Sequence, residues 1–335
     1  MDNINLKRLA EELNLSVSTV SRALRDSHEI SPETTARVKA LAIKLGFQPN
    51  PHASSLRKSK SKTIAVVVPE IENNFFSQVM NGVEAVAQKK GYHVLIYLTH
   101  EDHAREKDIL QLLRNGRVDG LMISVSNTTT SFEHLQAYQE GNTPLVLFDR
   151  VCESLNVPRI TTDDTDAAFK ATEHLLKTGC RKVAFLSMAG TLSISARRKL
   201  GYKRALEMYG LENDVTLECT FNDDENRQAI RDFLEKEKNV DGIFAAVEKL
   251  AVNTYQVCQE LGINIPREIK VISFSNLAAA ALFDPPLSTI VQPAYDIGKE
   301  AANILFKIIE KKMILPTERK MIIPSQIVER RSTAK

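Results

Sequence analysis

No run of about 18 apolar residues occurs in this 335-residue chain, so no membrane span is expected. Its first ten residues, MDNINLKRLA, lack the apolar core of a secretion signal, which points to a cytoplasmic protein. Cysteine is scarce: Cys152, Cys180, Cys219 and Cys258 lie far apart and form no C-x-x-C pair. Reduced thiols are expected, with neither a disulfide framework nor a structural metal. Also missing are a G-x-G-x-x-G after the first strand, a GxxxxGK[ST] loop, a GxSxG elbow and an HExxH helix. Those absences argue against an α/β enzyme, and no cofactor is expected. His100 and His103 stand beside Glu101 and Asp102, which reads as a surface loop of mixed charge.

Apolar residues make up 43% of the chain and charged residues 26%, as in a globular protein with a substantial core. The length suggests two or three domains. Net charge is only +2 but unevenly spread: Met1 to Lys62 carries eleven Lys and Arg against six Asp and Glu, a net of +5, leaving −3 for the remainder. A small basic module on a mildly acidic body fits a polyanion-binding head joined to a separate sensor. A solvated basic face without a partner is the plainer alternative.

The head begins at Ile4. Leu6, Leu9, Ala10 and Leu13 recur at steps of three and four, which predicts one face of a first helix capped by Asn5. Asn14 suits a tight turn, because Asn tolerates the left-handed conformation. Ser16 offers a second cap. Val20, Ala23 and Leu24 form the apolar face of a second short helix, leaving Val17, Ser18, Ser21 and Arg22 on its other side. Two helices joined by a turn describe either a helical hairpin or a helix-turn-helix, whose second helix enters the DNA major groove N-terminus first. An arginine there can bond guanine at two acceptors. Ser31-Pro32-Glu33 predicts the start of a third helix, with Val38, Leu41, Ala42 and Leu45 inward and Gly46 as its stop. Gln48 to Lys62 reads as a linker, in which Asn50 to Arg57 could make about two turns of helix, too short to stand alone in water.

From Thr63 the pattern becomes α/β with parallel sheets. Thr63–Val68 is a buried strand, followed by a helix over Gly82 to Lys90 and a strand over His93–Leu98. The alternation continues to Phe274. Two lobes follow, about 63–161 and 162–290, with a helix near Tyr295 to Lys312 and a strand near Lys320 to Ile323. Open α/β sheets bind ligands at the carboxyl ends of their strands, so a cleft between the lobes is the expected small-molecule site.

The phrase Ser16-Val-Ser-Thr-Val-Ser-Arg22 resembles the start of the LacI/GalR family of bacterial transcription regulators. The phrases Asn74-Phe-Phe76, Leu147-Phe-Asp-Arg150, Arg198-Lys-Leu-Gly-Tyr202 and Pro285 to Pro293 carry that resemblance almost to the C-terminus. It implies an N-terminal three-helix helix-turn-helix head (1–48), a hinge (49–62) and a two-lobed periplasmic-binding-protein-like body (63–330). The chain would cross back, so that 291–320 joins the first lobe and 321–330 the second. The implied function is a homodimeric repressor whose affinity for pseudo-palindromic operator DNA is controlled by a sugar or sugar derivative in the cleft. A solute-binding receptor is the competing class.

The resemblance places Leu6, Ser16, Val17, Ser18, Thr19, Ser21 and Arg22 on DNA. It makes Asn50, Ala53 and Leu56 part of a hinge helix in the minor groove, with Leu56 as the wedge that unstacks a base step. It assigns Phe75, Asp149, Arg150, Arg198, Val247, Ser275 and Asn276 to the effector. Arg197, beside Arg198, is the alternative effector arginine, and Phe76 is assigned to the core. Two departures stand out: Val247-Glu248 replaces an Asn-Asp pair, and Ser275 replaces an aspartate. A carboxylate that would grip a vicinal diol is thus expected to be missing, which leaves phosphorylated, acidic or oligomeric sugars open.

Overall fold

The computed structural model describes residues 5–24, 26–47, 61–72, 74–114, 116–188, 193–211 and 214–334. The chain divides into two compact units, Met1–Ser59 and Lys60–Lys335.

In the first unit, α1 (Leu6–Leu13), α2 (Val17–Ala23) and α3 (Pro32–Lys44) start at Asn5, Ser16 and Ser31. Each cap accepts a backbone N–H three residues on: Arg8 at 3.0 Å, Thr19 at 3.1 Å and Thr34 at 3.3 Å. Asn14 takes φ 55° and closes α1 in the left-handed region. Leu9, Ala10, Val20, Ala23, Val38 and Ala42 form the small core.

Among its described residues, the second unit holds two six-stranded sheets. The first is built from β1 (Thr63–Val68), β2 (His93–Leu98), β3 (Gly120–Ile123), β4 (Leu145–Phe148), β5 (Arg159–Thr162) and β11 (Lys320–Ile323). Its order is β11-β5-β4-β3-β1-β2, and every pairing is parallel. The second contains β6 (Val183–Met188), β7 (Val215–Cys219), β8 (Gly242–Ala245), β9 (Lys270–Phe274), β10 (Ser288–Val291) and β12 (Gln326–Val328). Its order is β12-β10-β9-β8-β6-β7, parallel except for β10 with β12. Helices α4 (Asn74–Lys89), α5 (His103–Leu113), α6 (Glu133–Glu140), α7 (Asp164–Lys177), α8 (Ser193–Met208), α9 (Asp223–Lys236), α10 (Glu248–Leu261), α11 (Ala294–Ile309) and α12 (Pro316–Arg319) complete the unit. Buried apolar runs such as Ile64 to Val68, mostly β-branched, account for the parallel strands, covered on both faces.

Three connections join the lobes, after β5, β10 and β11. Ile297, Ala301, Ala302, Leu305 and Phe306 of α11 pack with Val79 and Val83 of α4 in the first lobe's core. The sheets correct the lobe boundaries: Thr162 belongs to the first lobe's sheet and Val291 to the second's. Residues 321–323 belong to the first lobe, not the second, because Lys320 to Ile323 pairs in parallel with Arg159 to Thr162. Pro324 has no N–H to extend that ladder. The third crossing therefore falls between Ile323 and Gln326, tied by Ser325 N–H donating to Asp163 Oδ1 at 2.7 Å.

Candidate functional site

The head presents one polar surface. Val17 is 44% exposed, and Ser18 and Arg22 are exposed beside it along the N-terminal part of α2. Ser16 Oγ lies 2.7 Å from Ser18 Oγ and 2.8 Å from Thr19 Oγ1, so the start of α2 is a cluster of hydroxyls. Thr19 and Ser21 are half-buried, and Leu6 packs against the head core from the start of α1. Arg22 pairs with Glu29 at 2.7 Å, both more than half exposed. Such a surface pair contributes about 0–1 kcal/mol, so the guanidinium is available to another acceptor at small cost. Asn50, Ala53 and Leu56 lie outside the described residues.

In the body, the carboxyl ends of strands from both lobes converge on one cavity. It is lined by Phe75 and Phe76 of α4, by Asp149 and Arg150 after β4, and by Ile194 and Arg198 of α8. Val247, Glu248, Phe274, Ser275, Asn276 and Gln292 complete the wall. All seven candidate effector residues therefore meet here. Phe76, assigned to the core, is both core and wall, its ring 5.3 Å from that of Phe75 at 77°. The cavity volume is about 40 Å3, enough for water and far below the roughly 300 Å3 where small-molecule pockets begin. Cross-lobe ties hold it shut. Asn276 Nδ2 donates to Gln78 Oε1 at 3.2 Å, Val151 N–H donates to Ser193 Oγ at 3.5 Å, and Arg197 pairs with Glu153.

Arg198 and Arg197 divide clearly. Arg198 is 3% exposed. Its Nε donates to Asp164 Oδ1 at 2.8 Å, its NH1 to the Ala246 carbonyl at 2.6 Å, and its guanidinium lies 3.7 Å from the Phe274 ring centroid. The phrase around it follows from packing: a Cβ at Gly201 would sit 2.1 Å from the Thr165 carbonyl oxygen, so α8 closes on α7 and carries Arg198 inward. Arg197 faces outward into a larger flanking cavity of about 440 Å3, where it meets Glu153 while Arg204 faces Asp166.

Arg150 pairs within its own lobe, its Nε 4.0 Å from Asp149 Oδ2. Its NH1 donates to Glu101 of the same lobe at 2.7 and 2.9 Å. Glu101 also accepts from the Asn127 N–H at 2.7 Å. The loop after β2, expected to be a surface of mixed charge, is thus partly a support for the cleft. Behind it Glu106 is fully buried and accepts from the Ser126 N–H at 2.7 Å, the Ser126 hydroxyl at 2.8 Å, the Thr129 hydroxyl at 3.2 Å and His134 Nε2 at 2.7 Å.

Asp149 takes φ 57°, a conformation Asp tolerates better than most side chains, and this turn puts its carboxyl on the cleft wall. Burial pushes its pKa up to about 6, against the pull of Arg150 and Arg198 and with a push from Asp164. A carboxyl whose folded pKa lies above its unfolded value of 3.8 favours the native state most at low pH. That contribution is lost as pH rises from about 4 to about 6. The rise of about two units corresponds to roughly 3 kcal/mol. Asp149→Asn is expected to gain stability relative to the parent between pH 4 and pH 7 by about that amount, read from urea unfolding at both pH values. An equal difference at the two pH values would refute the assignment.

The sequence also passed over residues of this wall. Glu248 supplies a carboxylate where none was expected: Ser275 Oγ donates to Glu248 Oε2 at 2.6 Å. Asn276 is occupied too, donating to the Gln292 carbonyl at 2.8 Å and accepting from the Gln292 N–H at 3.1 Å. The departure at Val247-Glu248 was the visible signal for the first; Gln292 lay inside the phrase Pro285 to Pro293 without being singled out.

Comparison with known proteins matches both parts. Residues 61–331 match the model for periplasmic binding proteins and the sugar binding domain of the LacI family. Residues 5–50 match that for bacterial regulatory proteins of the lacI family. A ribose operon repressor from Halalkalibacterium halodurans is 32% identical over 98% of this chain and 96% of its own length. A LacI family regulator from Enterococcus faecium, solved with bound ribose, is 26% identical, with a TM-score of 0.71 over 81% of this chain and 98% of its own. The Lac repressor dimer bound to operator and an anti-inducer shares the fold, with a TM-score of 0.87 at 20% identity over the full length of both chains.

Proposed function

Because the chain belongs to the LacI family of bacterial regulatory proteins, we propose that it is a cytoplasmic homodimeric repressor acting by binding, not turnover, and that a sugar-like effector in the inter-lobe cleft sets its affinity for operator DNA. The observation that carries this reading is the convergence of Phe75, Asp149, Arg150, Arg198, Val247, Ser275 and Asn276 on one closed cavity. A ligand too large for that cavity must part the lobes, and a ligand that favours one lobe angle shifts the population of angles. Exposed apolar residues on edge strand β2, Leu95 at 41% and Ile96 at 48%, and Leu282 at 84%, support a second copy as partner. No helix among the described residues is long and apolar enough to cross a membrane.

On DNA, Val17, Ser18 and Arg22 read bases, while the hydroxyls of Ser16, Thr19 and Ser21 position the helix. Asn50, Ala53 and Leu56 act as the minor-groove hinge. A two-fold dimer places its recognition helices about one helical turn apart, so selection from random duplexes should enrich a pseudo-palindrome with that spacing. Arg22→Ala is expected to lose roughly 1–3 kcal/mol of affinity for it and to relax one base pair per half-site. Enrichment of the same site at unchanged affinity by the variant would remove Arg22 from base recognition.

A further inference from the structure

Resting on the sugar-binding reading of the cleft, we propose that Glu248 makes this site selective for uncharged polyhydroxy ligands and against phosphorylated or acidic ones. Position comes first. Glu248 opens α10, directly after Val247 on the cleft wall, and the Ser275 hydroxyl at 2.6 Å fixes its Oε2. Ser275 Oγ is held in turn by the Leu277 N–H at 3.0 Å. Ser275 therefore aims the carboxylate and leaves Oε1 for a ligand.

Charge is the second observation. The cleft's two guanidiniums are already compensated before any ligand enters: Arg150 by Glu101 at 2.7 Å, and Arg198 by Asp164 at 2.8 Å. Asp149, 4.0 Å from Arg150 Nε, and Glu248 come on top of these, so with Arg197 4.0 Å from Asp164 four carboxylates stand against three guanidiniums. Glu70 adds another acid near Arg150, and Lys249, the neighbouring cation, pairs with Asp223 at 3.5 Å. A phosphate would bring about −1.5 to −2 charges into this acidic, largely buried site.

The third observation is the hydrogen-bonding inventory. Among the described residues, Arg150 Nε and Gln292 Nε2 are buried donors that make no hydrogen bond, Arg150 Nε having only Asp149 Oδ2 at 4.0 Å, and both residues line the cavity. Asp149 and Glu248 are acceptors. A hydroxyl is donor and acceptor at once and satisfies both sets. A phosphate only accepts and an ammonium only donates, so each leaves one set buried and unsatisfied, at about 1–3 kcal/mol per group.

Glu248 also stands at the positive end of the α10 dipole, a purely structural role that would affect stability but not ligand choice. The test therefore reads selectivity. Thermal shift and calorimetry on the full chain use D-ribose, D-glucose, D-fructose and cellobiose. Ribose 5-phosphate, glucose 6-phosphate, fructose 6-phosphate, gluconate and glucosamine form the charged arm. The proposal expects a neutral member to raise the melting temperature and its phosphorylated or acidic counterpart not to. In Glu248→Gln that neutral sugar should bind at least about tenfold more weakly, a loss beyond what the lost charge at the helix start does to the unliganded melting temperature; Ser275→Ala, which releases the carboxylate and the Leu277 N–H, should weaken it less. A phosphorylated sugar that binds the parent chain more tightly than its neutral form, or unchanged affinity in Glu248→Gln, overturns the proposal. Silence from every member overturns the sugar reading of the cleft, and the selectivity falls with it.

Discussion

Arg198→Ala is expected to melt well below the parent chain and to lose its response to any sugar. The first effect follows from what Arg198 holds. Asp164 is 1% exposed, and burial alone pushes its pKa up while Arg198 pulls it down. Removing one partner of a buried ion pair costs about 3–5 kcal/mol, because a desolvated charge is left behind. It also strips the Ala246 carbonyl of its donor and the Phe274 face of its cation. The second effect follows from position: Arg198 lines the cleft, over the Phe274 ring. The two roles separate in the double variant Arg198→Met, Asp164→Leu. Apolar replacement of a whole buried pair is often neutral or stabilising, so most of the stability should return while the ligand response stays absent. Arg197→Ala, which loses the pair with Glu153 and a looser one with Asp164 at 4.0 Å, should respond to ligand normally. Loss of response in Arg197→Ala with retention in Arg198→Ala would reverse the assignment.

Glu106→Ala is expected to be destabilising on the same scale, about 3–5 kcal/mol, although it touches no ligand. Four donors end on this carboxylate: the Ser126 N–H and hydroxyl, the Thr129 hydroxyl and His134 Nε2. Alanine leaves them buried around a void. The segment they hold carries the Asn127 N–H that fixes Glu101, and Glu101 fixes Arg150 at the cleft. Glu106→Ala should therefore also weaken sugar binding at a temperature where the variant is still folded. Glu106→Gln keeps an acceptor for part of the set and should lose less. Urea unfolding of both variants, with sugar titrations at low temperature, checks the pair. Near-parental stability of Glu106→Ala would show that the network is not holding the loop.

What was legible in the sequence was mostly local. The head helices announce themselves through Asn5, Ser16 and Ser31, whose caps need only the next three residues. Strand β1 is a run of buried branched side chains, readable as such. The start of α4 at Asn74, eight residues before the expected helix at Gly82, was also present in the spacing of Phe75, Phe76, Val79 and Val83. The aromatic pair drew attention as a ligand surface and hid that periodicity. Strands β5, β7 and β10 were not expected. They are short and contain Thr, Ser or Glu, and only their neighbours in the sheet make them strands.

Sites behaved the same way. The phrase around Arg198 marks the arginine, but nothing local marks Asp164, 34 residues earlier, as its partner. Glu248 reads as an ordinary acid in the first turn of a helix. Its role depends on Ser275, brought alongside by the parallel pairing of β8 with β9. Pairings between distant segments are set by tertiary packing, which a linear pattern does not encode.

The most direct test of the cleft as a controller of the head is operator affinity of the 335-residue chain, by fluorescence anisotropy, without and with a saturating sugar from the panel. A coupling of about 1–3 kcal/mol predicts a five- to 150-fold change, and the sugar's own affinity must change by the same factor when operator is bound, because coupling is reciprocal. Operator affinity that stays constant while calorimetry shows the cleft filled would contradict it.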